Sequence, residues 1–181
     1  MIPNKWHLLL LAALIVAGAA TLAPSNPAAQ AQQPDAPVIY WRDGDIWSWS
    51  PATGTISQLT TWGYNERPVL SPDGQRFAYV SLAQITVDAL AAGKPAFDIA
   101  PSNIWLWDIE TGQATRLADQ PPGATYQPDD GSPGSFIVRG TPAWSPTMDR
   151  LAWAEYVVPS NEYRLVAYSF ATGETQVLVP E

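Results

Sequence analysis

The sequence predicts an all-β fold of about three four-stranded antiparallel units, on three observations. First, a hairpin is written three times. Residues 45–59, 103–117 and 164–178 align without a gap, each with an apolar run, a turn at Thr53-Gly54, Thr111-Gly112 or Thr172-Gly173, and a return strand ending in Leu. Second, another motif recurs between the hairpins: Pro68-Val-Leu-Ser-Pro-Asp-Gly74 and Pro142-Ala-Trp-Ser-Pro-Thr-Met148. Proline presets φ near −65° and glycine accepts φ > 0, so Ser-Pro-Asp-Gly suits a tight turn. Third, both faces of the hairpins are apolar or small. Strand period puts Trp47 with Trp49, and Trp105 with Trp107, on one face; Ile46, Ile104, Leu106, Leu165 and Ala167 lie on the other. A sheet with one wet face alternates more cleanly.

The elements follow in order. Residues 1–7 carry one positive charge, Lys5; residues 8–20 are almost purely Leu, Ala, Ile and Val; Ala29-Gln-Ala31 supplies a small-x-small cleavage pattern. The apolar run is shorter than the roughly 20 residues that span a bilayer. Residues 1–31 therefore read as a Sec-type signal peptide, with an uncleaved anchor as the alternative. The chain has no Cys, which excludes a lipid-attached lipoprotein. Residues 32–37 read as a disordered lead-in. Val38-Ile-Tyr-Trp41 is a β-rich run and Asp43-Gly44 a hairpin turn. The first repeat, 38–61, then holds three strands. The second, 65–119, holds four, as does the third, 139–179, for eleven in all. The first repeat lacks its inner strand. Sheets that expect a neighbour on each face are blades, so the architecture is a partial β-propeller with an incomplete first blade.

The Pro-x-[Leu/Trp]-Ser-Pro element followed by the Trp-x-Trp…Thr-Gly hairpin resembles the TolB-like propeller repeat, a relative of the WD repeat. The resemblance covers residues 38–181. Thr147-Met148 departs from Asp-Gly in the third repeat, and Leu70 stands where the family often has Trp. The resemblance implies a β-propeller fold. The hairpins recur at 58 and 61 residues (Ile46, Ile104 and Leu165), against about 40–45 in WD-type repeats. Two insertions make up the excess. Residues 82–102 include one helical turn over 88–93, and residues 118–138 read as loop. An up-and-down sheet brings both insertions to one edge, opposite the Thr-Gly and Ser-Pro turns.

Insertions gathered on one edge of a repeat fold often mark its binding side. The candidate binding residues there are Trp62, Tyr64, Asp88, Asp98, Tyr126, Asp129, Asp130 and Glu162. Trp62 and Tyr64 suit stacking on a sugar or a partner chain, or rim packing. The carboxylates suit a cation or a glycosidase pair, although no Asp-x-Asp-x-Asp loop is present and solvated loop charge is the simpler account of them.

Composition removes whole classes of chemistry. The only His is His7, in the leader, so Ser-His-Asp, Cys-His and ordinary zinc chemistry cannot be assembled from the mature chain. The net charge is −8; removal of residues 1–31 takes Lys5 and no acidic residue, leaving −9 on 150 residues. That charge disfavours nucleic acid and anionic membrane. No catalytic residue, metal or cofactor is expected, and no membrane insertion after cleavage. The expected function is an exported, non-catalytic binding or scaffolding module of the periplasm, cell envelope or exterior, with a protein, peptide or glycan partner. The alternatives are the N-terminal propeller part of an exported hydrolase of prolyl-oligopeptidase type, or a carboxylate-based glycosidase propeller. Trp pairs in the hairpins make the faces of an open three-blade wedge costly to expose, which also predicts self-association, or continuation in a longer chain, to close the ring.

Overall fold

The computed structural model describes residues 36–94, 99–126 and 134–179. The leader, most of the lead-in, and the candidates Asp98, Asp129 and Asp130 lie outside the described residues.

Three antiparallel sheets follow one another along the chain. The first is β1 (Val38–Arg42), β2 (Asp45–Trp49) and β3 (Ile56–Gln58), in the order β1-β2-β3. The second is β4 (Asn65–Leu70), β5 (Arg76–Leu82), β6 (Ser102–Asp108) and β7 (Gln113–Ala118), also in chain order. The third contains β8 (Phe136–Arg139), β9 (Ala143–Trp144), β10 (Arg150–Val158), β11 (Glu162–Ser169) and β12 (Glu174–Val179). Its order is β12-β11-β10-β8, with β9 also pairing β10. The chain is a partial β-propeller. Among the described residues its first blade has three strands and no inner one.

Turn chemistry explains the hairpins. Asp43 and Gly44 have φ of 52° and 82°. Type I′ turns need φ > 0 at both central residues, and their twist matches the flanking strands. A Cβ at Gly44 would also collide with the Gly63 carbonyl. Gly54, Gly112 and Gly173 of the three Thr-Gly turns all have positive φ. In the Ser-Pro turns, Ser71 Oγ accepts the Arg76 N–H at 3.0 Å and Ser145 Oγ accepts the Arg150 N–H at 3.1 Å.

Three expectations need adjustment. The third sheet begins at Phe136, not at residue 139, because the β-rich Phe136-Ile-Val run pairs with Val158, Val157 and Tyr156 of the long β10. Its inner strand is divided into β8 and β9 around Pro142, which has no N–H to give a ladder. The equivalent Arg67-Pro68 position bulges β4 between Glu66 and Val69 without dividing it. Finally, the insertion helix α1 spans Gln84–Ala91, eight residues rather than one turn. It is fastened by Thr86 Oγ1, which donates to the Pro101 carbonyl at 3.1 Å, and stops before Gly93 at φ 77°.

The second sheet is covered on both faces. On one, Ala78, Val80 and Ile104 pack with Leu151, Trp153 and Val166 of the third sheet. On the other, Phe77 and Tyr79 pack with Ile46 of the first sheet, flanked by Trp105 and Trp107. Trp153 is fully buried, and burial of a side chain that size contributes on the order of 3 kcal/mol. Arg76 spans the second seam, its guanidinium 5.3 Å from the Trp144 ring and 4.8 Å from Phe170. No helix among the described residues is long and apolar enough to cross a membrane.

Candidate functional site

The segment between β3 and β4 carries Trp62 and Tyr64, and one buried carboxylate fixes it. Asp45 Oδ1 accepts from Thr60 Oγ1 at 2.9 Å, the Gly63 N–H at 3.0 Å and Asn65 Nδ2 at 3.2 Å; Asp45 Oδ2 accepts from Gln58 Nε2 at 3.2 Å. Thr60 Oγ1 in turn accepts from the Ile46 N–H at 2.9 Å and from Asn65 Nδ2 at 3.0 Å. A short loop thus receives several charge-assisted hydrogen bonds, which hold its backbone in one path. Its tip leaves Trp62 43% exposed, with Tyr64 edge-on at 5.9 Å between ring centroids.

Trp62 forms one wall of a cleft of about 580 Å³ between the first and second sheets. Tyr79, Trp105 and Trp107 add aromatic surface, while Asn65, Ser81, Gln84, Asn103 and Arg116 add polar groups. Alternation explains the set. Asn103, Trp105 and Trp107 share one face of β6, and Tyr79 and Ser81 sit opposite Trp105 and Asn103 on β5. The Arg116 guanidinium lies 5.6 Å from the Trp105 ring centre and pairs with Asp119 at 2.9 Å. Burial pushes the Tyr79 phenol well above its ordinary value, so it remains a neutral hydroxyl. Asn103 is 4% exposed, and its Oδ1 has no protein hydrogen-bond partner among the described residues. A buried acceptor left open costs about 1–3 kcal/mol, so it is a place where a donor is wanted. Among the described residues no carboxylate lines this cleft.

A smaller cleft of about 340 Å³ shares Asn65 and Leu82 with it and is reached by Tyr64, Tyr126, Thr86 and Arg139. Tyr126 is buried here, its ring 6.2 Å from Phe136. The two clefts therefore gather Trp62, Tyr64 and Tyr126. Asp88 is not with them; it stands exposed on α1 and accepts from Gln84 Nε2 at 2.7 Å. Glu162 opens β11 in the third sheet and lines neither cleft. Among the described residues no three acidic or histidine side chains gather as a metal site.

Sequence reading missed a buried ion network at the second seam. Glu155 Oε1 accepts from Arg139 Nε at 2.8 Å and Trp153 Nε1 at 3.0 Å, and its Oε2 accepts from Arg164 at 2.8 Å. Arg139 also donates to the Ser102 carbonyl at 2.6 Å and the Asp119 carbonyl at 2.8 Å. Burial alone raises the Glu155 carboxyl, but the Trp153 indole and the two guanidinium groups outweigh it and hold the group below its ordinary value. The available signal was Arg139, Glu155 and Arg164 interrupting apolar strand runs.

No protein-family model matches the chain, and no curated protein matches it. Solved structures do match. One is a nidogen/laminin complex, at 16% identity over 81% of this chain and 45% of that one, TM-score 0.47. An oligogalacturonate lyase in complex with manganese matches at 15% identity over 81% and 51%, TM-score 0.36. TolB from Acinetobacter baumannii matches at 19% identity over 75% and 38%, TM-score 0.31. The chain spans between 38% and 51% of these structures' lengths.

Proposed function

We propose that the chain is an exported, non-catalytic binding module of TolB-like repeat type that takes a glycan in the cleft between its first two sheets. One observation carries this reading: three tryptophans, Trp62, Trp105 and Trp107, and Asn103, whose buried Oδ1 is unpartnered among the described residues, line the same cleft. A pyranose offers what such a cleft lacks, apolar C–H faces for the rings and hydroxyl donors for the amide. Export rests on the leader-like residues 1–31.

The test is a titration of the purified chain with a panel of soluble neutral oligosaccharides, followed by tryptophan fluorescence. A saturable change with at least one glycan is expected, and Trp62→Ala should weaken it about 10-fold or more while the far-UV spectrum is kept. No response across the glycan panel, with a response to Pro-rich or aromatic peptides instead, would move the function to peptide capture.

A further inference from the structure

We propose that the two end sheets dock on each other between two copies of this chain, head to tail, so that a pair of chains closes a six-sheet ring. The argument comes from equivalent positions in the three repeats. Ladder registers align Ile46, Ile104 and Leu165, and align Val38, Phe77 and Leu151. At the first seam, the face with Ile46 meets the face with Phe77 and Tyr79. At the second, the face with Ile104 meets the face with Leu151 and Trp153. Both seams therefore join one kind of face to the other kind on the next sheet.

Among the described residues, the first and third sheets present the same two faces with no sheet packed on them. Ile46 and Ile104 are 0% exposed, but Leu165 is 38% exposed; Phe77 and Leu151 are 0% exposed, but Val38 is 44% exposed. Val38, Trp49 and Ile56 form an exposed cross-strand row over all three strands of the first sheet. Trp49 is the repeat equivalent of Trp107, which packs at the first seam. On the third sheet Leu165 is joined by Tyr163, and by Arg150, the equivalent of the seam-spanning Arg76. The free face of the third sheet thus carries what the first two sheets use to receive a successor. The free face of the first sheet carries what the second and third use to be received. A second copy supplies both at once. Rings form from head-to-tail contacts when the rotation closes, and filaments when it does not.

The test uses the purified chain in size-exclusion chromatography with light scattering at about 10 µM, a concentration well above the dissociation constant of an ordinary stable interface. A mass of two chains is expected. Leu165→Arg and Val38→Glu, each on a different face, should both give monomers, with association weakened about 100-fold or more. Mixing the two variants one to one should restore the dimer, because one native seam then forms and the altered seam pairs Arg with Glu. Should Leu165→Arg lose its far-UV spectrum, Val38→Glu alone and the parent chain decide. A monodisperse parent monomer, or an open ladder of higher masses, overturns the proposal. So does a dimer in either variant, or failure of the mixture to reassociate, since these are the outcomes of a face pairing with itself or with something else. The glycan titration reads a cleft that lies within one chain, between its first and second sheets, and is independent of this result.

Discussion

The two seams of the wedge use the same three repeat positions for opposite ends. In the third sheet these positions hold Arg139, Glu155 and Arg164, paired across β8, β10 and β11. In the second sheet they hold Asn65, Ser81 and Asn103, paired across β4, β5 and β6. The charged set is closed: both oxygens of Glu155 and three nitrogens of Arg139 are engaged. The neutral set is open, with Asn103 Oδ1 unpartnered beside a cleft of about 580 Å³. Buried charge must be satisfied from within, because desolvation is too costly otherwise. A buried amide carries a smaller penalty and can await a ligand. The second seam is thus closed by its own charges, and the first is the one to which the proposed function assigns the ligand.

The strongest way to break this comparison is Glu155→Ala. It leaves Arg139 buried without its counter-charge, a loss of roughly 3–5 kcal/mol. Ser81→Ala, at the equivalent position, removes no charge and should fall within about 1 kcal/mol of the parent. Urea unfolding monitored by tryptophan fluorescence compares the two directly. Equal losses would mean that the second seam is not held by its ions.

Acid sharpens the same contrast. The folded Glu155 carboxyl lies below its unfolded value, chiefly because the Trp153 hydrogen bond and the Arg139 charge overcome its burial. A depressed carboxylate contributes stability that is complete above the unfolded value, about 4.3 for Glu, and is lost as pH falls through the folded value. Stability should therefore decline below about pH 4. The turn carboxylates Asp73, Asp108 and Asp149 are also held low and add to that slope. Glu155→Gln isolates the seam: its urea midpoint should start lower at pH 7 and fall less between pH 5 and pH 3. Parallel slopes for variant and parent would assign the acid loss to the turns alone.

The sequence made the outer scaffold of both seams readable, because turns and faces are written locally. Thr111-Gly112 fixes a hairpin by itself, and the alternation of Ile104, Trp105, Leu106 and Trp107 assigns two covered faces before any partner is known. Trp62 and Tyr64, singled out from their place in a loop, do line clefts. The identity of the closed seam could not be read. Arg139 and Glu155 are sixteen residues apart in the chain and meet only because β8 and β10 are in register. Nothing near either residue says that the other will be its neighbour. The Phe136-Ile-Val strand was hidden for a related reason: Phe136 and Ile137 pair with Val158 and Val157, the extra length of β10 that the equivalent β5 does not have.

The mildest test concerns the open seam. Replacing Asn103 by Leu removes the unpartnered acceptor and keeps the side-chain volume close, on the face it shares with Trp105 and Trp107. If Oδ1 is held open at a cost, the variant should gain about 1 kcal/mol in urea unfolding, a stabilisation where most buried polar-to-apolar changes lose. The same variant should bind glycan at least about 10-fold more weakly, the usual consequence of deleting a ligand-facing polar partner. Gain of stability with loss of binding is the signature of a group kept for a ligand at the expense of the fold. A loss of stability would show that Asn103 serves the seam as Arg164 does, and the distinction between the two seams would fail at the position where it is sharpest.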